Sequence, residues 1–370
     1  MANPHFSTSD REKIHDEVDN ILTNQLSMGD NVKSFEIEFA KRVGVKHAIA
    51  LNACTSALEA SVIYASTRGS EIIIPAQTFI ATGMAVHLNG MKPVFAEISP
   101  ETMCLDYHDV IQRVNENTAA IILVHMTGIL TPEIKQFRTF CDERNILLIE
   151  DAAHTPGARI GDVEAGSFGH VGCFSFFPSK IITCGEGGML VTNDDEIANF
   201  ARSFQNRGRD MEETGEIYKI PGRNVRMPEF SALLGRVQLS HLDDSLSVRR
   251  SIATFYYEHL RSCNLITLIN LNSIHQSSFW KFPIILDCSI QRKKVLDTLH
   301  NSGIFADTAY NPPLHLQPVF REFYGTMEGM LPISEDLLNR HLCLPCHQKM
   351  KIDDADYIIT KLLEILESKS

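Results

Sequence analysis

Hydrophobic residues in this chain follow two alternating patterns, one typical of strands and one of helices. Short runs that are apolar throughout predict strands at residues 48–51, 72–74, 93–98, 119–124, 146–149, 173–177 and 189–191. Between most of them, apolar residues at helical spacing predict helices at residues 56–65, 81–88, 106–115, 132–144 and 194–206. Uninterrupted apolar strands are typical of a sheet covered on both faces, so the pattern favours an α/β fold with a mostly parallel sheet.

The N-terminal segment has a helical pattern of its own. Ser9 and Glu12 have the spacing of a capping box, which predicts the start of a first helix. A second amphipathic helix is expected at residues 32–43, before Gly44.

The pattern changes after residue 205. Residues 205–228 are polar and rich in Gly and Arg, which predicts a long loop. Beyond it we expect helices at residues 229–263, 290–301 and 353–367, and a strand at residues 279–286. The sequence therefore predicts a large α/β domain at residues 1–245 and a small α+β domain at residues 246–370.

Composition and charge narrow the class of protein. The chain is 44% hydrophobic and 22% charged, which is typical of a globular protein and excludes a disordered chain or a fibre. Its net charge of −12 disfavours nonspecific binding to nucleic acid or to an anionic membrane. No apolar run has the length of a membrane span, and the polar segment 1–17 has no secretory pattern, so we expect a cytoplasmic protein.

The cysteines are interpreted as reduced thiols. Nine cysteines are scattered along the chain, an odd number without a disulfide pattern. Cys343, Cys346 and His347 have the spacing of a haem-attachment motif, but that attachment normally follows export. Two cysteines alone are also two ligands short of a structural zinc site, so no metal site is expected.

Lys180 is the first candidate for chemistry. It follows the predicted strand 173–177 and precedes the turn Gly185-Glu186-Gly187-Gly188. A lysine removed from water has a lowered pKa and becomes a nucleophile toward carbonyl groups. A solvated lysine in a surface loop would produce the same pattern.

Asp151 is the second candidate, because it follows a buried strand directly. Catalytic groups in α/β proteins lie at the carboxyl ends of strands. A buried carboxylate there needs a cationic partner, which a protonated pyridine nitrogen would supply. Asp151 could instead cap the turn that follows.

Two further segments lie between a predicted strand and a helix. Thr55 and Ser56 at a helix N-terminus could be N-caps, or could bind an anion together with free N–H groups. Phe79 in the next such turn is either a core residue or a platform for a flat ring. No Gly-x-Gly-x-x-Gly follows the first strand, which argues against a dinucleotide-binding protein.

Taken together and in order, these segments resemble the DegT/StrS family of pyridoxal 5'-phosphate (PLP) sugar aminotransferases. The resemblance runs nearly end to end, and its motifs are Gly29…Phe35-Glu36, Thr55-Ser56, Pro75…Thr78-Phe79…Thr82, Glu150-Asp151-Ala152-Ala153-His154, Ser175…Lys180…Gly185-Glu186-Gly187-Gly188, Asn224-Val225-Arg226-Met227, Pro313-Leu314-His315 and Leu344-Pro345. It implies a fold-type I aminotransferase fold, with a mostly parallel seven-stranded sheet in the large lobe and a smaller C-terminal lobe.

The resemblance also implies roles for individual residues. Lys180 would bind PLP as a Schiff base, and Asp151 would pair with the pyridinium nitrogen. The remaining cofactor contacts would be His154 near the ring hydroxyl, Phe79 on the ring face, Thr55, Ser56 and Ser175 on the phosphate, and Asn224 on the phosphate of a partner subunit. The last of these implies a homodimer with shared active sites.

The implied reaction is ping-pong transfer of an amino group from glutamate or glutamine to a keto-sugar, with pyridoxamine 5'-phosphate as the intermediate form of the cofactor. A sugar dehydratase that uses pyridoxamine phosphate, or an inactive regulatory homologue, is the alternative. The keto-sugar could be nucleotide-linked, a free octulosonate-type sugar or a cyclitol. Arg226 and His315 are candidates for contact with a substrate anion, or could be solvated loop residues.

Overall fold

The structure is a computed structural model that describes residues 5–210, 215–269 and 276–368. Its strands are β1 (His47–Leu51), β2 (Glu71–Pro75), β3 (Lys92–Ala96), β4 (Thr118–Val124), β5 (Leu147–Asp151), β6 (Arg159–Ile160), β7 (Val163–Glu164), β8 (Val171–Ser175), β9 (Gly188–Thr192), β10 (Ile266–Leu268), β11 (Phe282–Leu286) and β12 (His341–Leu344).

The α-helices surround these strands. They are α1 (Thr8–Thr23), α2 (Asp30–Val43), α3 (Cys54–Ala65), α4 (Ile80–His87), α5 (Tyr107–Arg113), α6 (Ile134–Arg144), α7 (Asp195–Gln205), α8 (Glu229–Ser240), α9 (Leu242–Leu260), α10 (Arg292–Asn301), α11 (Pro318–Tyr324), α12 (Pro332–Arg340) and α13 (Ile352–Glu367). Across the described ranges, none of them is both long and apolar enough to cross a membrane.

The large lobe is built on a seven-stranded sheet in the order β1–β9–β8–β5–β4–β2–β3. Strand β9 is antiparallel to both of its neighbours, and the other strands are parallel. Strands β1, β2, β5 and β8 therefore end at one edge of the sheet, and β9 begins there. Every residue of β4 and β5 is buried, as their uninterrupted apolar sequences predicted. The predicted α/β architecture is confirmed.

The small lobe contains the antiparallel sheet β10–β11–β12, covered by α10, α13 and part of α9. The predicted domain boundary after residue 245 falls inside α9. Leu242 and Leu246 at the start of this helix pack with the large lobe, whereas Ile252 and Tyr256 pack with the small lobe. One helix thus links the two cores.

Part of the C-terminal region returns to the large lobe. Leu314 and Phe320 belong to the apolar core around α4 and the large sheet. The side chain of Phe320 also occupies the space beside Gly83 in α4, where a Cβ would lie 2.6 Å from its ring. Residues near 314–320 therefore belong to the large lobe by packing, although they follow the small-lobe helix α10.

Two helix boundaries differ from the sequence prediction. The capping box of α1 is formed by Ser7 and Asp10 rather than by Ser9 and Glu12. Asp10 is held there because its carboxylate also accepts a hydrogen bond from His241 at 2.8 Å. His241 lies at the junction where the predicted helix 229–263 is divided into α8 and α9.

The predicted loop 205–228 contains no named helix or strand from residue 206 in its described part; residues 211–214 lie outside the described ranges.

A buried carboxylate joins α8 to the start of α2. Glu229 is 2% exposed, and its two carboxylate oxygens accept hydrogen bonds from the backbone N–H groups of Gly29, Asn31 and Val32 at 2.7, 2.8 and 3.2 Å. Free N–H groups at a helix N-terminus stabilise a negative charge. Glu229 therefore fixes α2 against α8.

We expect Glu229→Gln to lower the free energy of unfolding by about 2 kcal/mol, because an amide offers one acceptor oxygen to three buried donors. Urea unfolding followed by circular dichroism measures this loss. Glu38→Gln is the matched control, since Glu38 pairs with Arg236 at a partly exposed site and should cost less than about 1 kcal/mol. Equal losses in the two variants would contradict the capping role of Glu229.

Candidate active site

A cavity of about 1000 Å³ lies at the edge of the large sheet where β2, β5 and β8 end, and it extends to the small lobe. Six of the sequence-predicted residues line it: Thr55, Phe79, Asp151, His154, Ser175 and Lys180. They come from four separate strand-to-helix or strand-to-strand connections. The parallel sheet brings these connections together because the strands before them end at the same edge.

Lys180 is held in the connection between β8 and β9. Phe176 anchors the start of this connection by packing against the rings of Phe35 and Phe39, at centroid distances of 5.1 and 5.4 Å. Trp280 holds its middle, since the indole Nε1–H donates to the carbonyl of Ser179 at 2.7 Å. The segment is therefore fixed from both lobes.

The amine of Lys180 is poised for nucleophilic chemistry. Its Nζ lies 4.7 Å from the centroid of the Trp280 ring and has no hydrogen-bond partner within the described residues. Burial lowers the pKa of Lys180 to about 8, an effect that Asp151 and Cys54 only partly oppose. A lysine of this kind is partly neutral near physiological pH and can attack a carbonyl carbon.

Gly188 allows the start of β9 to pass directly over the N-terminus of α3. A Cβ at this position would lie 2.3 Å from the carbonyl carbon of Ala53, closer than any side chain can approach. Helix α3 has no side-chain cap at Ala53. Its first N–H groups, Thr55 and Ser175 therefore form a group of neutral donors at this part of the cavity, suited to an anion.

Asp151 is the buried carboxylate of the site. It is 6% exposed, and its oxygens accept hydrogen bonds from the Thr82 hydroxyl at 2.9 Å and from the Ala153 N–H at 3.2 Å. Burial raises the pKa of Asp151, and the Thr82 hydrogen bond is the largest of the interactions that oppose this change. Asp151 remains available to a cationic partner in the cavity.

His154 is stacked on the ring of Trp280 and has one unused nitrogen. Its ring lies 3.9 Å from Trp280 with an interplanar angle of 12°, and its Nε2 is 3.0 Å from the hydroxyl of Tyr310. The buried Nδ1 has no partner among the described residues. Burial, followed by the charge of Lys180, lowers the pKa of His154 well below its ordinary value, so the ring is neutral.

Four predicted residues lie outside this cavity. Ser56 is buried, and its hydroxyl donates to the side chain of Asn52 at 2.7 Å. Asn224 is exposed on the loop before α8, and Arg226 donates to the side-chain oxygen of Asn206 at 2.5 Å. Asn224 is therefore accessible to another molecule, and it does not line the cavity of its own chain.

The fourth residue, His315, corrects the sequence prediction of a substrate contact. It is only 1% exposed, and its Nε2 is 2.9 Å from a carboxylate oxygen of Glu335. That carboxylate also accepts the N–H groups of Gly329 and Leu331. His315 therefore belongs to a buried polar cluster that joins the segment before α11 to α12.

The structure adds residues to the site that the sequence reasoning missed. Thr82 bonds to Asp151, Trp280 stacks on His154, and Tyr310 bonds to the same histidine. Trp280 is the only tryptophan of the chain, which is a weak signal of a site residue. No regular spacing in the sequence relates it to Lys180. Thr82 had a stronger signal, because it lies three positions after Phe79 in the first turn of a helix.

The small lobe forms the outer part of the cavity. Phe305 and Tyr357 line it with side chains that are 73% and 46% exposed, unusual values for large aromatic residues. The hydroxyl of Tyr357 donates to the carbonyl of Ser302 at 3.2 Å, which fixes α13 against the loop that carries Phe305. Lys281 also lines the cavity; its amine lies 4.4 Å from the centroid of the Trp280 ring and pairs with Asp307.

Cys343 and Cys346 also line the cavity, but as thiols. Burial raises the pKa of both to about 12, so neither is a thiolate at neutral pH. Throughout the residues that the structure describes, no group of three or more His, Cys, Asp or Glu side chains is arranged to hold a metal ion.

Known proteins are similar to this chain in sequence and fold over nearly their whole length. GDP-perosamine synthase of Caulobacter vibrioides is 31% identical over 370 residues, which cover 99% of this chain and 98% of that protein. The aminotransferase PseC of Helicobacter pylori, involved in the biosynthesis of pseudoaminic acid, has a TM-score of 0.90 at 27% identity, covering 99% of this chain and 98% of its own.

A dehydratase has the same fold. The GDP-4-keto-6-deoxy-D-mannose-3-dehydratase of Escherichia coli, solved with bound hydrated PLP, has a TM-score of 0.88 at 25% identity and covers 98% of each chain. Because residues 8–363 match the sequence profile of the DegT/DnrJ/EryC1/StrS aminotransferase family, the chain belongs to that family.

Proposed function

We propose that this chain is a PLP-dependent aminotransferase that moves an amino group from glutamate or glutamine to a nucleotide-linked keto-sugar. The observation that carries this function is the amine of Lys180, which is unpaired within the described residues and lies in a large cavity beside the buried Asp151. Family membership supplies the class of reaction, and the side chains of the cavity supply a place for each part of the cofactor.

The cavity offers a partner to every functional group of PLP. Lys180 would hold the aldehyde carbon, and Asp151 would hold a proton on the ring nitrogen. The unpartnered Nδ1 of His154 is suited to the ring hydroxyl. Phe79, at 53% exposure, offers a free ring face, and the N-terminus of α3 offers neutral donors to the phosphate. The chemistry of these residues therefore fits the functional groups of the cofactor.

The chemistry is divided between the cofactor and the chain. When bound, PLP supplies an aldehyde that captures an amine and a ring that accepts the electrons of the reacting carbon. Lys180 would hold the cofactor through its amine, and the same amine, when free, would carry a proton as a general base. Asp151 keeps a positive charge on the ring nitrogen by remaining ionised beside it.

The size and lining of the outer cavity support a nucleotide-linked sugar. A cofactor and a monosaccharide leave much of about 1000 Å³ unfilled. Phe305 and Tyr357 offer exposed aromatic faces on which a nucleobase can stack. The names of the Caulobacter and Escherichia coli relatives both include a guanosine diphosphate sugar. We expect this chain to bind the same class of activated sugar.

We place the reaction in the cytoplasm. All nine cysteines are free thiols, and seven of them are buried in the protein interior. Reduced cysteines in this number are typical of proteins in a reducing compartment.

We further propose a homodimer with composite sites. The phosphate end of the cavity is lined by hydroxyl and backbone groups, and the exposed Asn224 precedes Val225, whose carbonyl accepts the N–H of Asn52 at 2.8 Å just before α3. In a two-fold dimer, Asn224 of each chain would donate to the cofactor phosphate in the other. Such reciprocal donation completes two sites at once.

The proposed function predicts a half-reaction without sugar. Holoenzyme mixed with glutamate or glutamine alone should release one equivalent of the corresponding 2-oxo acid per active site, and a keto-sugar should then accept the amine. Lys180→Ala should abolish the release, whereas Lys281→Gln, which removes the neighbouring amine of the cavity, should retain it. Peptide mapping after borohydride reduction should find PLP attached to Lys180.

Two outcomes would contradict this function. Attachment of PLP to Lys281 would show that Lys180 is not the lysine that binds the cofactor. Loss of a hydroxyl group from the sugar without transfer of nitrogen would instead show a dehydratase, the activity of the Escherichia coli structural relative.

The lowered pKa of Lys180 predicts the pH dependence of cofactor capture. Only the neutral amine reacts, so the rate at which apoenzyme binds PLP covalently should rise with pH and level off above about pH 8. At pH 7 about a tenth of the amines would be neutral, against about 0.03% for an ordinary lysine. Stopped-flow absorbance at a series of pH values measures the midpoint.

Lys281→Gln is the control for this midpoint. The charge of Lys281 contributes to the lowered pKa of Lys180, so its removal should move the midpoint upward. A rate that continues to rise beyond pH 10 in the unmodified enzyme would show an amine in contact with water.

The composite sites predict recovery of activity in mixed dimers. Lys180→Ala and Asn224→Ala chains, each impaired alone, are dissociated mildly and reassociated together. In a mixed dimer, one site carries both defects and the other carries neither, so up to half of its sites should have normal activity. An active monomer in light scattering, or mixed dimers without activity, would refute the shared site.

A further inference from the structure

The first turn of α4 presents two functional side chains to the cavity. Phe79 is the N-cap of this helix, and Thr82 is its third residue, tied back to the Phe79 carbonyl by an N–H···O hydrogen bond of 3.1 Å. Phe79 is exposed, whereas Thr82 is fully buried. The same turn therefore carries a free aromatic face and, below it, a hydroxyl that contacts Asp151 at 2.9 Å.

A second hydroxyl fixes the direction of this contact. The Oγ1 atoms of Thr78 and Thr82 are 2.7 Å apart. An ionised carboxylate only accepts hydrogen bonds, so Thr82 donates to Asp151 and its own oxygen is left to accept from Thr78. The three groups form a chain of donors that ends on Oδ2 of Asp151, and all three are at most 6% exposed.

Asp151 has few other groups that stabilise its charge. Its Oδ1 accepts the N–H of Ala153 at the longer distance of 3.2 Å. Among the described residues, no lysine, arginine or histidine forms an ion pair with Asp151, and Lys281 of the same cavity pairs with Asp307 instead. Burying a carboxylate without an ion pair costs several kcal/mol unless hydrogen bonds compensate. Thr82 donates the shorter of the two hydrogen bonds that Asp151 accepts.

We propose that Thr82 is a positioning residue that orients Asp151 and keeps it ionised opposite the ring nitrogen of the cofactor. This inference rests on the proposed PLP site. The donor chain occupies Oδ2, which limits rotation of the carboxylate and leaves Oδ1 with its weaker contact to face a cation. Thr82 acts through Asp151 and does not itself touch the reacting atoms.

The inference is tested by the binding of two cofactors. Trp280 is the only tryptophan and lies 4.7 Å from the Lys180 amine, so quenching of its fluorescence reports occupancy of the site. Dissociation constants are measured for PLP and for its 1-deaza analogue, which has carbon in place of the ring nitrogen. Thr82→Val keeps the shape of the side chain and removes the hydroxyl, Thr82→Ser keeps the hydroxyl, and Thr78→Val removes only the first donor.

We expect Thr82→Val to weaken PLP binding about tenfold and to leave binding of the deaza analogue within about twofold of the unmodified enzyme. Thr82→Ser should restore most of the preference for PLP, and Thr78→Val should reduce it by a smaller factor. A merely structural threonine would change the two affinities equally, because its loss would deform the site for both cofactors. Circular dichroism verifies that each variant is folded.

The possible failures are distinguishable. If the unmodified enzyme does not prefer PLP to its deaza analogue, Asp151 does not face the ring nitrogen and the proposed site is wrong. If the unmodified enzyme prefers PLP and Thr82→Val retains that preference in full, only the role of Thr82 is wrong. If Thr82→Val does not fold, the comparison of Thr78→Val with the unmodified enzyme decides, and an unchanged preference there overturns the donor chain.

Discussion

The structure depends on keeping two ionisable groups of opposite charge, an amine and a carboxylate, out of water in one cavity. Burial lowers the pKa of Lys180 to about 8 and raises the pKa of Asp151, so each group is moved toward its neutral form. A neutral lysine is what a nucleophile requires, whereas a neutral aspartate could not hold a cation. The surrounding residues must therefore act differently on the two: the amine is left without a partner within the described residues, and the carboxylate receives hydrogen bonds.

The reversed strand β9 makes this arrangement possible. Because β9 runs against its neighbours, the chain turns back at the edge where β5 and β8 end, and the turn holds Lys180 over the cavity. Both lobes then fix the surroundings of the amine. Trp280, which holds the Ser179 carbonyl, is itself held by the fully buried Arg249, which donates to carbonyl groups of Phe279, Trp280 and Cys346. The connection that carries Lys180 is thus tied through Trp280 and Arg249 to α9, the helix that links the two cores.

The sequence predicted features that depend on neighbouring residues, and it missed contacts between residues that are far apart in the chain. The strands were predictable because each is an uninterrupted apolar run, and Lys180 and Asp151 stood out because charged residues follow such runs. Trp280 and Tyr310 were missed because contact with His154 joins segments more than a hundred residues apart, with no periodicity between them. His315 was misinterpreted for a different reason: its partner Glu335 is only 20 positions away, but no sequence pattern shows that the histidine is buried against it.

The charges around the cavity also bear on assembly. The lining contains two lysines but, over the described ranges, no arginine. Lys281 is already paired with Asp307, and Lys180 is needed at the aldehyde end of the cofactor. A phosphate dianion would therefore face only the N–H groups of α3 and the hydroxyls of Thr55 and Ser175, which stabilise charge less than a cation does. Two arginines lie beside Asn224, but Arg223 is paired with Glu59 and Arg226 donates to the side-chain oxygen of Asn206. In the proposed homodimer, Asn224 of a second copy would add one more donor to this phosphate, at the end of the cavity where the chain's own donors are neutral.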